Sequence, residues 1–137
     1  MGIVNTEITL LNAIDQSKVL EGQLKESEVR SVTVQAVVDT GSMYLAINEE
    51  TRQKLGLGIR GEKTALLANG QHLACKISEP IEVWWKERQT ICQAMIIPDA
   101  EKILLGAIAL EGMDLVVNPV TQELVGAHGD RVETLLL

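Results

Sequence analysis

The sequence predicts an all-β fold, most simply a small closed β-barrel with one or two short helices. Short apolar segments recur at close spacing, and several alternate apolar with polar residues in the period of a half-buried strand. The clearest is 32–38, where apolar residues alternate with Thr33 and Gln35. Turn residues separate these segments, and Asn69-Gly70 is the strongest hairpin signal because both positions tolerate positive φ.

The length of 137 residues fits one domain over 1–137, with enough chain to bury a single core. Residues 1–28 are predicted to hold an N-terminal strand at 3–11 and then a long, charged connection. Residues 127–137 form a tail for which two alternatives stay open. The tail is either flexible or supplies its three C-terminal leucines as contacts between two copies.

The other predicted strands are short and follow in chain order. They cover 29–38, 44–47, two arms of a hairpin within 62–86, 81–86, 90–97 and, after a turn, the closing strand that ends at 125.

A helix of about two turns is predicted after Asn48. Asn48 is a good N-cap, and Glu49 and Glu50 follow at the positive end of the helix dipole. Lys54 lies at the negative end, and Gly56 is the residue expected to end the helix.

Charge and hydropathy exclude several kinds of partner. The net charge of −7 argues against nucleic-acid binding, which draws on clustered Lys and Arg. No apolar run approaches the roughly 18 to 20 residues of a membrane span, and the N-terminus lacks the basic and apolar segments of a signal peptide. We therefore expect a cytoplasmic protein without a membrane partner.

No metal or other cofactor is expected. Cys75 and Cys92 are two cysteines in an acidic chain, and buried thiols explain them more simply than a disulfide framework. His72 and Cys75 are three apart in a predicted strand, so they point to opposite faces. His128 lies alone near the tail.

The candidate site is the stretch Asp39-Thr40-Gly41-Ser42. The strand that precedes it ends at Asp39 and delivers one carboxylate into a tight turn of small and hydroxyl residues. An ordinary turn is the simpler alternative, because the same residues are good turn formers. A phosphorylated aspartate is disfavoured, because Thr40 and Gly41 stand where such sites usually carry a lysine or a second acid.

A second motif makes this stretch more specific. Ile103-Leu104-Leu105-Gly106 is followed by an apolar segment at 107–113 and by 114–119, in the same order as a known pair of signatures. With Asp39-Thr40-Gly41-Ser42, it makes residues 30–126 resemble a retroviral-type (retropepsin-like) aspartic protease, in the small single-domain form of bacterial and archaeal members. The resemblance implies a short helix and then a strand after Gly106.

Hydrolysis by carboxylates needs one group to take a proton from water and another to give one to the carbonyl oxygen. Two carboxylates held close together share one proton and can fill both roles. The chain contains a single Asp-Thr-Gly. The site therefore requires a homodimer, with Asp39 and its symmetry mate at a twofold axis.

The resemblance assigns the remaining roles. Asp39 acts as base and acid, Thr40 bonds across the dimer axis, Gly41 offers its N–H to the carboxylate, and Ser42 steadies the outer oxygen. Behind this turn it implies a structural group: Leu104, Leu105 and Gly106. It also implies that a hairpin tip covers the cleft as a flap: Ala68, Asn69, Gly70 and Gln71. The tip departs from the family in lacking its many glycines.

Two functions remain open at this stage. The first is an aspartic endopeptidase that binds a peptide or protein substrate as an extended strand between flap and floor. The alternative is a non-catalytic, dimeric β-barrel that serves as a binding or structural module, because fold does not fix function.

Overall fold

The computed structural model describes residues 3–136, which are mostly β-structure. The last of the three C-terminal leucines, Leu137, lies outside the described residues. The strands within 3–136 are Asn5–Asn12 (β1), Ser31–Val38 (β2), Leu45–Ile47 (β3), Ile59–Leu66 (β4), His72–Ser78 (β5), Ile81–Trp85 (β6), Arg88–Cys92 (β7), Ala94–Ile96 (β8), Ile103–Leu105 (β9), Leu115–Asn118 (β10) and Glu123–Gly126 (β11). The α-helices are Ala13–Leu20 (α1), Glu49–Leu55 (α2) and Ala107–Gly112 (α3), and Glu26–Glu28 forms a 3₁₀ turn.

The prediction of a closed barrel is wrong. Within residues 3–136, nine strands form one open sheet in the order β4-β5-β8-β3-β9-β2-β1-β6-β7, and β10 pairs with β11 in a separate hairpin. Closure would require β4 to pair with β7. However, β4 is an edge strand that is exposed along nearly its whole length, and it carries charged residues at Arg60, Glu62 and Lys63, which is how edge strands avoid further pairing.

The centre of the large sheet holds the part of the chain that carries the candidate site. β2 pairs in parallel with β9, in a register that places Val38 beside Leu105. β1 covers the other edge of β2 in antiparallel register. The core is continuous across these strands and includes Ile8, Leu10 and Leu105, none of which is more than 1% exposed. Such side chains each contribute about 1.5 to 3 kcal/mol through burial, so this region is the rigid part of the sheet.

The predicted strand at 90–97 is two strands in the structure. β7 ends at Cys92 and pairs with β6, whereas β8 starts at Ala94 and pairs with β3 and β5. The change of partner is fixed by Ser78, whose hydroxyl accepts the Ala94 N–H at 3.0 Å. The apolar pattern alone did not indicate this break, because apolar residues lie on both sides of Gln93.

The helix predicted after Asn48 is confirmed as α2. The Asn48 side chain accepts the Thr51 N–H at 2.9 Å, and Gly56 ends the helix with a φ of +64°. The residues Glu49 and Glu50 lie in its first turn. Both caps are local, so the sequence was sufficient to predict them.

The long connection predicted after β1 does join two antiparallel strands, β1 and β2, but it contains the helix α1, which was not predicted. Asn12 caps this helix by accepting the Asp15 N–H at 3.0 Å, and it also donates to the Leu55 carbonyl at 2.8 Å. Asp15 in turn forms an ion pair with Arg30, which lowers the pKa of its carboxyl through hydrogen bonding. The N-cap and first-turn acid at positions 12 and 15 were the available signal.

The hairpin predicted within 62–86 is formed by β4 and β5. Its turn contains Asn69 and Gly70, the latter with a φ of +84°. The Leu67 N–H donates to the Gln71 carbonyl at 2.8 Å and closes the loop. No helix among residues 3–136 is both long and apolar enough to cross a membrane.

Candidate active site

Asp39 lies immediately after β2, where the parallel pairing with β9 fixes its backbone. Its N–H donates to the Leu105 carbonyl at 3.0 Å, which extends the ladder by one residue beyond the strand. The Asp39 side chain is half-buried and Thr40 is exposed. The carboxylate is therefore anchored to the rigid centre of the sheet and still reaches the surface.

Two hydrogen bonds orient the Asp39 carboxylate. Oδ1 accepts the Gly41 N–H at 3.0 Å, and Oδ2 accepts the Ser42 hydroxyl at 2.9 Å. The turn is closed by the Ser42 N–H, which donates to the Asp39 carbonyl at 3.1 Å. Each carboxylate oxygen keeps accepting capacity beyond these bonds, so the group can still hold a water molecule.

Gly106 lies directly behind this turn, where there is no room for a side chain. A Cβ at position 106 would lie 2.5 Å from the Tyr44 carbonyl oxygen and 2.7 Å from that of Ser42. The start of α3 clamps the same segment, because the Ala107 N–H donates to the Ser42 carbonyl at 2.8 Å. Leu105 is fully buried. The structure thus brings the two sequence motifs into contact through their backbones.

A cavity of about 380 Å³ lies on one side of the turn. Its floor includes Ser42 and Leu104, and its opposite wall is one arm of the β4–β5 hairpin, at 63–67. The four residues at the hairpin tip are not among those that line it. The hairpin therefore lines this cavity with one arm, and the flap expected at its tip stays a prediction.

A second cavity, of about 540 Å³, lies on the other side of the turn. Asp39 and Thr40 line it together with apolar residues of the N-terminal segment and the β10–β11 turn, among them Val4, Val117 and Pro119. Asp39 thus lines this second cavity, whereas Gly41 and Ser42 of the same turn line the first cavity, which the hairpin arm bounds.

Sequence reasoning did not name most of the residues that line the first cavity, among them Tyr44, Lys63 and Met95. Tyr44 and Ala46 share a face with period 2, so alternation after the Asp-Thr-Gly turn was a usable signal for Tyr44. Lys63 lies on β4 and Met95 lies on β8. These strands are brought together because β4 pairs with β5 and β5 pairs with β8, which no local pattern indicates.

The two cysteines are poor alternatives as nucleophiles. Burial raises the pKa of the Cys75 thiol, and it raises that of Cys92 to about 11. Both thiols are free and stay protonated near neutral pH. No group of three or more His, Cys, Asp or Glu side chains within residues 3–136 is arranged to hold a metal ion.

Comparison with known proteins gives a family match over most of the chain. A family model described as aspartyl protease matches residues 26–136, a range that contains both Asp39 and Gly106. Among solved structures, an EIAV protease complexed with an inhibitor is similar at 17% identity and a TM-score of 0.46, over 54% of this chain and 70% of the other. No curated protein matches the sequence significantly.

Proposed function

Because the chain belongs to the aspartyl protease family, we propose that it is an endopeptidase that acts as a homodimer, with the Asp39 carboxylates of two copies activating one water molecule. The observation that carries this proposal is the carboxylate of Asp39, held through both oxygens by Gly41 and Ser42 at the end of a central strand. The Gly41 bond alone is one that ordinary turns also form. The Ser42 bond to the second oxygen, and the Ala107 N–H that clamps the Ser42 carbonyl from behind, are what support the proposal beyond an ordinary turn.

The chemistry follows from two carboxylates that share one proton. The unprotonated Asp39 takes a proton from water, and the resulting hydroxide attacks the peptide carbonyl carbon while the protonated partner gives its proton to the carbonyl oxygen. The tetrahedral intermediate then collapses. The carboxylate left without a proton takes one from a hydroxyl of the intermediate, the C–N bond breaks, and the nitrogen leaves with the proton of the other carboxyl group. The pair again holds one proton.

A second copy is needed because each chain contains a single Asp-Thr-Gly. Thr40 is exposed beside the carboxylate, which suits a hydroxyl that bonds across a twofold axis. A symmetric dimer built at this point would place two identical turns face to face. Gly106, with Leu104 and Leu105, would hold each turn from behind.

The proposed substrate is an extended peptide whose side chains enter the cavity between the active turn and the hairpin arm. Ser42 and Leu104 would form the floor, and 63–67 the cover. The hairpin tip, from Ala68 to Gln71, would act as the leading edge of a flap rather than as the wall of a pocket.

The test is exposure of the protein to an unbiased peptide library from acidic to neutral pH, with products read by mass spectrometry. The parent and Asp130→Asn, a matched exposed acid in the tail, should both cleave. Asp39→Asn should cleave nothing, because it removes the ionisable acid at nearly unchanged size. Peptide binding without cleavage by the parent at every pH would contradict the proposal and favour the binding module.

A further inference from the structure

The cavity beside the active turn is mainly apolar and contains one cationic side chain. Most of its walls come from residues such as Met43, Ala65, Met95 and Ile97. Among the residues that line it, Lys63 is the one with a charged side chain. A single ammonium group among mainly apolar walls affects which peptide side chains the cavity can bind.

Lys63 is held toward the cavity by Tyr44 on the facing wall. Its Nζ lies 4.8 Å from the centroid of the Tyr44 ring, a cation–π distance, and it donates a hydrogen bond to the tyrosine hydroxyl. Tyr44 follows Ser42 by two residues, and its carbonyl oxygen touches Gly106. The pair therefore joins the hairpin arm to the segment that carries the carboxylate.

The Lys63 ammonium has three N–H donors, so one phenol hydroxyl leaves donors to spare. A peptide side chain with an apolar stem and a carboxylate tip would pack its stem on the cavity wall and bring its charge to Nζ. Glutamate fits this description. Leucine would fill the wall without reaching the cation, and lysine would meet a like charge.

The net charge of −7 acts in the opposite direction at long range, because it disfavours acidic peptides as a whole. Salt screens this general repulsion between distant exposed charges, whereas a contact pair at Lys63 is screened less. The preference for a carboxylate is therefore confined to the one peptide position that reaches Lys63.

On the premise that the chain is the peptidase described above, we propose that Lys63 is a specificity-determining residue that selects a glutamate side chain at one position beside the cleaved bond. Tyr44 positions the ammonium for this contact. The class of substrate is thus an extended peptide with an acidic residue at that position and apolar residues around it.

The experiment uses one cleaved peptide in a series that carries Glu, Gln, Leu or Lys at each position around the cut. The parent should prefer Glu over Leu at one position in kcat/KM. Lys63→Met, which keeps the apolar stem, should lower this preference about fivefold, and Lys63→Glu should shift it toward Lys. Lys76→Met, which removes an exposed lysine from the same hairpin outside the cavity lining, should leave it unchanged.

A lysine that only latches the hairpin gives a different result. Lys63→Met would then change kcat/KM for all peptides by the same factor, and this outcome, or a parent without a Glu preference, would overturn the inference. Binding of the same series to the Asp39→Asn chain tests the preference without cleavage. Loss of cleavage in the parent with Glu-selective binding retained would contradict the peptidase and support the role of Lys63.

Discussion

At the scale of single residues, the candidate site depends on groups that hold Asp39 rather than react. Gly41 and Ser42 fix the two carboxylate oxygens at 3.0 and 2.9 Å. Gly106 allows the loop after the turn to lie against the start of α3. The sequence alone indicated the candidate site because each of these contacts comes from one of two short motifs.

Gly106→Ala tests the tight packing behind the turn. The new Cβ would lie within 2.7 Å of two backbone carbonyl oxygens, which cannot move as a flexible side chain can. We expect a loss of at least about 2 kcal/mol in the free energy of unfolding, measured by urea denaturation. Gly61→Ala is the matched control, because a Cβ there meets nothing within 4 Å. Equal stability of the two variants would contradict the proposed packing.

Tyr44 and Lys63 show where residue-level prediction stops. Each is ordinary in its own segment, and their contact arises because β4 reaches the active turn through β5 and β8. The hairpin itself was predictable from Asn69-Gly70, but the side of it that faces the cavity was not. Pairing between distant strands decides that, and no short pattern records it.

At the scale of elements, the C-terminal segment is bonded to Asp114, which lies two residues after the end of α3. His128 Nδ1 lies 2.7 Å from Asp114 Oδ2, and the Glu133 N–H donates to the same oxygen at 3.0 Å. Arg88 adds bonds to the carbonyls of Met113 and Asp114. These bonds attach residues 128–133 to their own chain, and the two alternatives for the tail that ends in three leucines stay predictions.

The His128 contact predicts a dependence of stability on pH. Hydrogen bonding to Asp114 raises the pKa of His128 and lowers that of Asp114. The histidine contribution is therefore complete below its ordinary value of about 6.5 and is lost as pH rises through the raised one. The aspartate contribution is present above about 3.9 and is lost as pH falls through the lowered value.

His128→Gln should accordingly lower the free energy of unfolding most between about pH 4 and 6.5, and the gap from the parent should shrink above that range. The effect should be modest, because the His128 side chain is 48% exposed. Denaturant melts across pH measure it, with His72→Gln on the exposed face of β5 as control. If the difference in the free energy of unfolding between the parent and His128→Gln stays constant up to pH 9, the ion pair is excluded.

At the scale of the whole molecule, the main difference from the sequence prediction is the open sheet. Local alternation predicted most strands, but closure depends on whether the two edge strands meet, and β4, an exposed and charged edge strand, does not pair with β7. The helix α1 was likewise missed, although its cap at Asn12 was visible, because its order depends on the distant partners Leu55 and Arg30.

The central claim is that one active site is built from two copies of Asp39. Mixing parent and Asp39→Asn chains in equal amounts, under conditions in which subunits exchange, tests it at constant total protein. If both carboxylates are needed, only parent–parent dimers cleave, and activity should fall to about one quarter of that of the parent alone. Activity of about one half, in proportion to the parent chain, would show that a single chain suffices and would contradict the shared site.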